Sequence, residues 1–155
     1  MPVTLEEAQI YDPYEAYVNQ IIDDGFKYDQ LHKKLASLPE NLLDFIFSPE
    51  LAEFIKDKIV APFNLNKQQT KETAKVVLEL ILTDIYLGNI VSEVQGRLAI
   101  DDQKAKTIAG LIVAELFAPI LEDLKKMHIE KFAKNIPLQS QQQGDDRTVD
   151  LRNNL

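Results

Sequence analysis

An all-α bundle of five to seven helices is the fold this chain predicts, and three observations predict it. Apolar residues recur at three- and four-residue spacing along most of the chain, helix-capping residues stand where such runs begin, and runs of alternating apolar and polar residues between hairpin turns are missing. The 155 residues, 45% hydrophobic and 27% charged, have the size and makeup of one soluble globular domain. The reading divides them into a helical domain over 1–137 and a flexible tail over 138–155. Within the domain, acidic helices fill 1–38 and paired hairpins occupy about 49–134.

Taking the elements in order, Asp12 before Pro13 is a cap followed by proline at the first helical position. Tyr14, Tyr17, Val18, Ile21 and Ile22 then form an amphipathic stripe that Gly25 is expected to stop. Tyr28, Leu31, Leu35 and Leu38 continue at similar spacing to Pro39, and Leu42, Leu43, Phe45, Ile46 and Phe47 make a short apolar segment. Ser48-Pro49-Glu50 restarts the pattern with a cap, a first-turn proline and an acid suited to the helix dipole, and Leu51, Phe54, Ile55 and Ile59 face inward until Ala61-Pro62 ends the run.

The next two segments look alike at an offset of 35 residues, which places Ile55, Ile59, Phe63 and Leu65 on Ile90, Val94, Leu98 and Ile100. The same shift sets Asn66 on Asp101 and pairs identical residues: Gln68 with Gln103, Lys71 with Lys106, Ala74 with Ala109. Each copy reads as a short helix, a loop closed by an Asn or Asp cap, and a long helix; three identities also arise by chance in helical sequence, and two copies are too few for a solenoid. Both long helices, about 67–86 and 102–134, are apolar around much of their circumference and are expected at the centre of the bundle. Pro119 should kink or break the second near Phe117. The core is expected to be led by Phe54, Ile59, Val77, Ile81, Ile108, Ile112 and Leu116.

Charge is unevenly spread. The formal charge is -8, and residues 1–26 hold Glu6, Glu7, Asp12, Glu15, Asp23 and Asp24 without a Lys or Arg, so six of the eight net negatives lie there. Such a balance repels phosphate backbones and argues against nucleic acid. The acidic end, with Glu6, Glu7, Asp12 and Glu15, reads either as a docking surface for a basic partner or as a solvated helical face. The most apolar stretch, from Ile108 to Leu121, contains Glu115 and Pro119 and falls short of the ~20 residues that span a bilayer, so no membrane insertion is expected. With no basic segment leading into an apolar one at the start, the expected location is cytoplasmic.

After Pro137 the composition turns to Gln, Ser, Gly and Asp, with almost nothing to bury. Val149, Leu151 and Leu155 then return near the end; an extended segment puts Val149 and Leu151 on one face, suited to a partner's groove or sheet edge, the alternative being a frayed end or a clip onto its own bundle.

Chemistry-bearing residues are sparse. The chain has no Cys, which excludes disulfides, thiolate zinc sites and iron–sulfur clusters. His32 and His128 are the only histidines, and neither lies in His-Glu-x-x-His; no Glu-x-x-His supports a di-iron bundle site, and the five glycines form no phosphate-cradling loop. Adjacent acids such as Asp23-Asp24 and Asp101-Asp102 point about 100° apart on a helix and are better explained as caps or solvated faces. No catalytic residue, metal or cofactor is expected.

The stretch Gly96-Arg-Leu-Ala-Ile-Asp-Asp-Gln-Lys-Ala-Lys-Thr-Ile-Ala-Gly110, with Leu116-Phe-Ala-Pro-Ile120, Leu124-Lys-Lys-Met-His128 and the upstream Phe45-Ile-Phe-Ser-Pro-Glu50, resembles small uncharacterised helical proteins of candidate-phylum bacteria with reduced genomes. The resemblance covers roughly Asp44 to Phe132 and implies a helical fold with no known activity. It departs at Leu121, where those proteins often carry a basic residue after Pro-Ile. Taken together, the residues point to a non-enzymatic protein–protein interaction module with an unknown protein partner, through the acidic end or the apolar tip of the tail. The alternative is a small-molecule or lipid-binding bundle with a pocket between the central helices.

Overall fold

The computed structural model describes residues 10–132. Among them there is no strand, and eight helices follow one another. They are α1 (Pro13–Ile21), α2 (Gly25–Ala36), α3 (Glu40–Ile46), α4 (Pro49–Phe54), α5 (Lys67–Ile81), α6 (Ile90–Leu98), α7 (Asp102–Gly110) and α8 (Leu121–Phe132). The count exceeds the expected range by one because the chain breaks at Pro119 into α7 and α8, where a 3₁₀ turn, Ala118–Ile120, intervenes. The tail over 138–155 lies outside the described residues.

Five of the eight helices, α1, α2, α4, α5 and α7, start at a side-chain cap. Asp12 accepts the backbone N–H of Glu15 at 3.2 Å, and Asp101 that of Lys104 at 2.7 Å. Asn66 and Gln69 form a reciprocal capping box at 2.8 and 2.9 Å, and the Gln69 amide also donates to the Leu98 carbonyl at 2.8 Å, tying the start of α5 to the end of α6. Gly25 does not stop α1: Asp24 accepts the N–H of Lys27 at 3.1 Å, so α1 ends at Ile21 and Gly25 becomes the first residue of α2.

Two π-helical stretches are present, Ile55–Val60 continuing α4 and Leu111–Leu116 continuing α7. Each runs up to a proline, Pro62 or Pro119. Proline has no N–H to donate, and its ring collides with the carbonyl four residues back; opening the preceding turn to i→i+5 bonding, as in Ala61 N–H to Lys56 O and Phe117 N–H to Ile112 O at 2.8 Å, removes that conflict. Helix α4 therefore continues past Pro62 through Ala61–Phe63 instead of ending there.

The 35-residue correspondence extends to the backbone. Asn64 and Ala99 both adopt the left-handed conformation, and Leu65 N–H to Val60 O and Ile100 N–H to Gln95 O close matching helix ends before Asn66 and Asp101 cap the long helices. Matching positions are buried together: Ile55 with Ile90, Ile59 with Val94, Ala74 with Ala109, and Val77 with Ile112. The π stretches are the point of difference, one lying in the short helix of the first copy and the other in the long helix of the second.

Helix α5 is the centre of the bundle, with Ala74, Val76, Val77, Leu78, Leu80 and Ile81 all fully buried and α1 packed along it. Helix α7 and its π extension are less central than expected, since Gly110, Ala114 and Glu115 face solvent. Of the expected core, Ile59, Val77, Ile81, Ile108, Ile112 and Leu116 are buried, whereas Phe54 is only half-buried. Leu51, Ile55 and Ile59, spaced by four, take the inward line through the widened turn, and Phe54 is left on its flank.

Candidate functional site

The helical hairpin of α1 and α2 lies against α5, and its tip is uncovered. Every residue from Ile22 to Gln30 is exposed. Ile22 is 60% and Phe26 71% accessible, and together with Tyr28 and Phe47 they are the exposed large hydrophobic residues among those described, all between positions 22 and 47. Asp23 and Asp24 sit beside them in the connecting turn, and Leu31 and Leu35 are the buried anchors of α2. Sequence spacing places Ile22, Tyr28 and Phe47 in apolar stripes and gives no signal for Phe26. Periodicity reports which face is apolar, but not whether another element covers it.

A ring contact chain links α2, α1 and the C-cap of α3: Tyr28 packs on His32 with centroids 4.3 Å apart, His32 lies edge-on to Tyr14 at 6.1 Å, and Tyr14 meets Phe47 at 5.1 Å. His32 Nδ1 lies 2.9 Å from the Tyr28 carbonyl, which can only accept, so Nδ1 carries the proton and Nε2 accepts from the Tyr14 hydroxyl at 3.0 Å. Burial raises the Tyr14 pKa, with the neighbouring Tyr28 acting the same way.

Of the expected partner-binding residues, Asp12 and Glu15 are brought together as the cap and first turn of α1. Glu6, Glu7, Val149, Leu151 and Leu155 lie outside the described residues.

Below the tip, a cleft of about 320 Å³ opens between α1, α2 and α5. Tyr17 on its wall has a pKa raised by burial and by the charge of Asp84. Lys34 donates to Asp84 at 2.6 Å, and Arg97 gathers three carboxylates, Glu93 at 3.2 Å, Glu72 at 3.7 Å and Glu79 in direct contact, with Lys75 3.5 Å from Glu72. Burial works against the Arg97 charge, and Glu79, Glu93 and Glu72 more than offset it, so its pKa stands above the ordinary arginine value.

His128 is the second histidine and is fully buried. Its Nε2–H donates to the Leu80 carbonyl at 2.6 Å and its Nδ1 accepts the Leu87 N–H at 3.1 Å, so the neutral ring bolts the end of α5 to the 3₁₀ turn Leu87–Asn89. Burial pushes its pKa down to about 4, with the Leu80 bond opposing and the charge of Lys131 assisting. Lys131 donates to the carbonyl of Thr83, a left-handed residue, at 2.6 Å, while Tyr86 and Phe132 close over the imidazole. Gly88 is required there, because a Cβ on it would stand 2.5 Å from the Tyr86 ring. Both histidines thus have both ring nitrogens engaged within the protein.

Among the described residues no group of three or more His, Cys, Asp or Glu side chains is arranged to hold a metal ion, and no helix is long and apolar enough to cross a membrane. Comparisons of the chain with protein-family models, curated proteins and solved structures find no match.

Proposed function

We propose that this protein is a non-enzymatic interaction module whose docking element is the tip of the α1–α2 hairpin. The observation that carries the reading is the uninterrupted exposure of residues 22–30, with Ile22 in the connecting turn and Phe26 in the first turn of α2 both more than half accessible. Large apolar side chains held in solvent have no stabilising role in an isolated chain, whereas an exposed aromatic anchor rimmed by charge suits a protein interface. Asp23, Asp24 and the acidic run 1–26 favour a partner that offers a basic segment with an apolar pocket. The reading is non-enzymatic because the imidazoles, the side chains best suited to proton transfer near neutral pH, are occupied as structural hydrogen-bonding groups.

A photoreactive residue placed at position 26 in the source cell should trap a defined protein, and one placed at the exposed Ser92 should not. Ile22→Asp with Phe26→Asp should abolish recovery of that protein while leaving helicity unchanged. Recovery equal to wild type would end the reading.

A further inference from the structure

The cleft between α1, α2 and α5 is lined by Tyr17, Gln20 and Ile21 from α1, by Lys27, Gln30, Leu31 and Lys34 from α2, and by Lys75 and Glu79 from α5. In a chain of net charge -8, three ammonium groups sharing one cleft is a departure from the surrounding surface. The spacing explains the convergence: Lys27, Gln30 and Lys34 fall at i, i+3 and i+7 on one face of α2, while Lys75 and Glu79 fall at i and i+4 on α5.

Three of the four charged residues that line the cleft are lysines. Glu72 and Asp84, which pair with Lys75 and Lys34, are not among the lining residues, and the one lining carboxylate, Glu79, is held by Arg97 from outside the cleft. An ammonium has three N–H donors. Lys34 uses one on Asp84, Lys75 reaches Glu72 only at 3.5 Å though its side chain is just 14% exposed, and Lys27 is exposed at the mouth. Each of the three ammonium groups therefore keeps N–H donors that no protein partner among the described residues uses. The amides of Gln20 and Gln30 and the Tyr17 hydroxyl add neutral hydrogen-bonding groups, with Ile21 and Leu31 as an apolar wall.

We propose that this cleft is a binding site for a small phosphate-bearing anion. Its volume is at the lower end of ligand sites, about 300–1,000 Å³, and lysines act as mobile point charges that suit a tetrahedral oxyanion. Lys27 and Gln30 belong to both the cleft and the exposed segment 22–30, but the cleft uses ammonium and amide groups whereas the tip uses Ile22 and Phe26.

Two probes test it: tripolyphosphate free in solution, and phosphatidylcholine vesicles carrying a phosphoinositide. In ¹⁵N NMR titrations tripolyphosphate should move the amides of residues 17–34 and 75–79, with a dissociation constant that weakens at least tenfold in Lys27→Glu and is unchanged in Lys106→Glu on the far exposed face of α7. Lys27→Glu removes no buried contact, so its folding is secure; a melting point equal to wild type checks this. Vesicle sedimentation that is lost in Lys27→Glu would place the anion on a lipid headgroup and equally support the site. Binding to neither probe, or binding that Lys27→Glu and Lys106→Glu weaken alike, would overturn it.

Discussion

Asn64 and Ala99 stand 35 positions apart in the same left-handed backbone conformation, with φ and ψ of 53° and 48° for one and 54° and 49° for the other. Each ends the short helix of its copy, and each is followed one residue later by an apolar side chain and two residues later by the cap of a long helix. The side chains differ in how well they tolerate that geometry. Asn is enriched in left-handed positions, whereas Ala bears the Cβ clash without compensation, worth roughly 1–2 kcal/mol.

Ala99→Gly should therefore stabilise the protein by about 1 kcal/mol, a rise of ~2–4 °C in the melting point of a chain this size, and Asn64→Gly should change it less. Ala99 is exposed, so nothing packed is lost. Thermal or urea unfolding of the two variants side by side measures the difference, and an Ala99→Gly midpoint at or below wild type would refute the strain argument.

The His128 bolt makes stability depend on acid. The folded ring resists protonation down to about pH 4, while the unfolded chain takes up the proton near the ordinary value of 6.5. Between those limits the unfolded state binds more protons, so the stability His128 confers is complete above pH 6.5 and is lost as pH falls toward 4, by about 3 kcal/mol from this residue. In His128→Leu, which leaves the Leu87 N–H unmatched and takes one of its donors from the Leu80 carbonyl, stability at pH 7 should drop by ~2–4 kcal/mol and its slope between pH 6.5 and 4 should flatten. An unchanged slope in the variant would show that other groups set the acid response.

Core truncations should separate the two sides of the widened α4 turn. Ile59→Ala and Ile112→Ala, both at fully buried positions, should each cost ~2–5 kcal/mol. Phe54→Ala, half-buried, should cost less than either despite removing the larger side chain. Urea midpoints with equal m-values decide this; a Phe54→Ala loss exceeding the Ile59→Ala loss would move Phe54 back into the core.

Arg97 neutralises Glu72, Glu79 and Glu93 where α5 and α6 meet. Removing it leaves three half-buried carboxylates facing one another, so Arg97→Ala should destabilise by ~1–3 kcal/mol, and adding Glu79→Gln should recover part of the loss. If the double variant is no more stable than Arg97→Ala alone, the network is energetically inert.

Helix positions were legible because their signals are local. Asp12, Ser48, Asn66 and Asp101 all cap helices as their side-chain chemistry demands, and the Pro119 break falls where a missing N–H requires it. Gly25 shows the limit of such reasoning, since glycine tolerates both the end of one helix and the start of another, and the Asp24 bond to Lys27 decides between them. The π turns escaped because their cause, a downstream proline, was read as a terminator. The exposed tip escaped for a longer-range reason: whether Ile22, Phe26 or Phe47 is covered depends on where distant elements land, and no spacing along the chain encodes it.

The tip also has a dynamic consequence. Helix α2 has a single side-chain cap bond at its start and two buried leucines in its second half, so its first turns are held by local bonding with no buried surface to oppose opening. Amide hydrogens of residues 26–30 should exchange with solvent deuterium by brief local openings, long before those of α5, whose protection reports unfolding of the whole bundle. A partner gripping Phe26 would slow that exchange, and its association rate would be gated by how often the segment is wound at the moment of encounter.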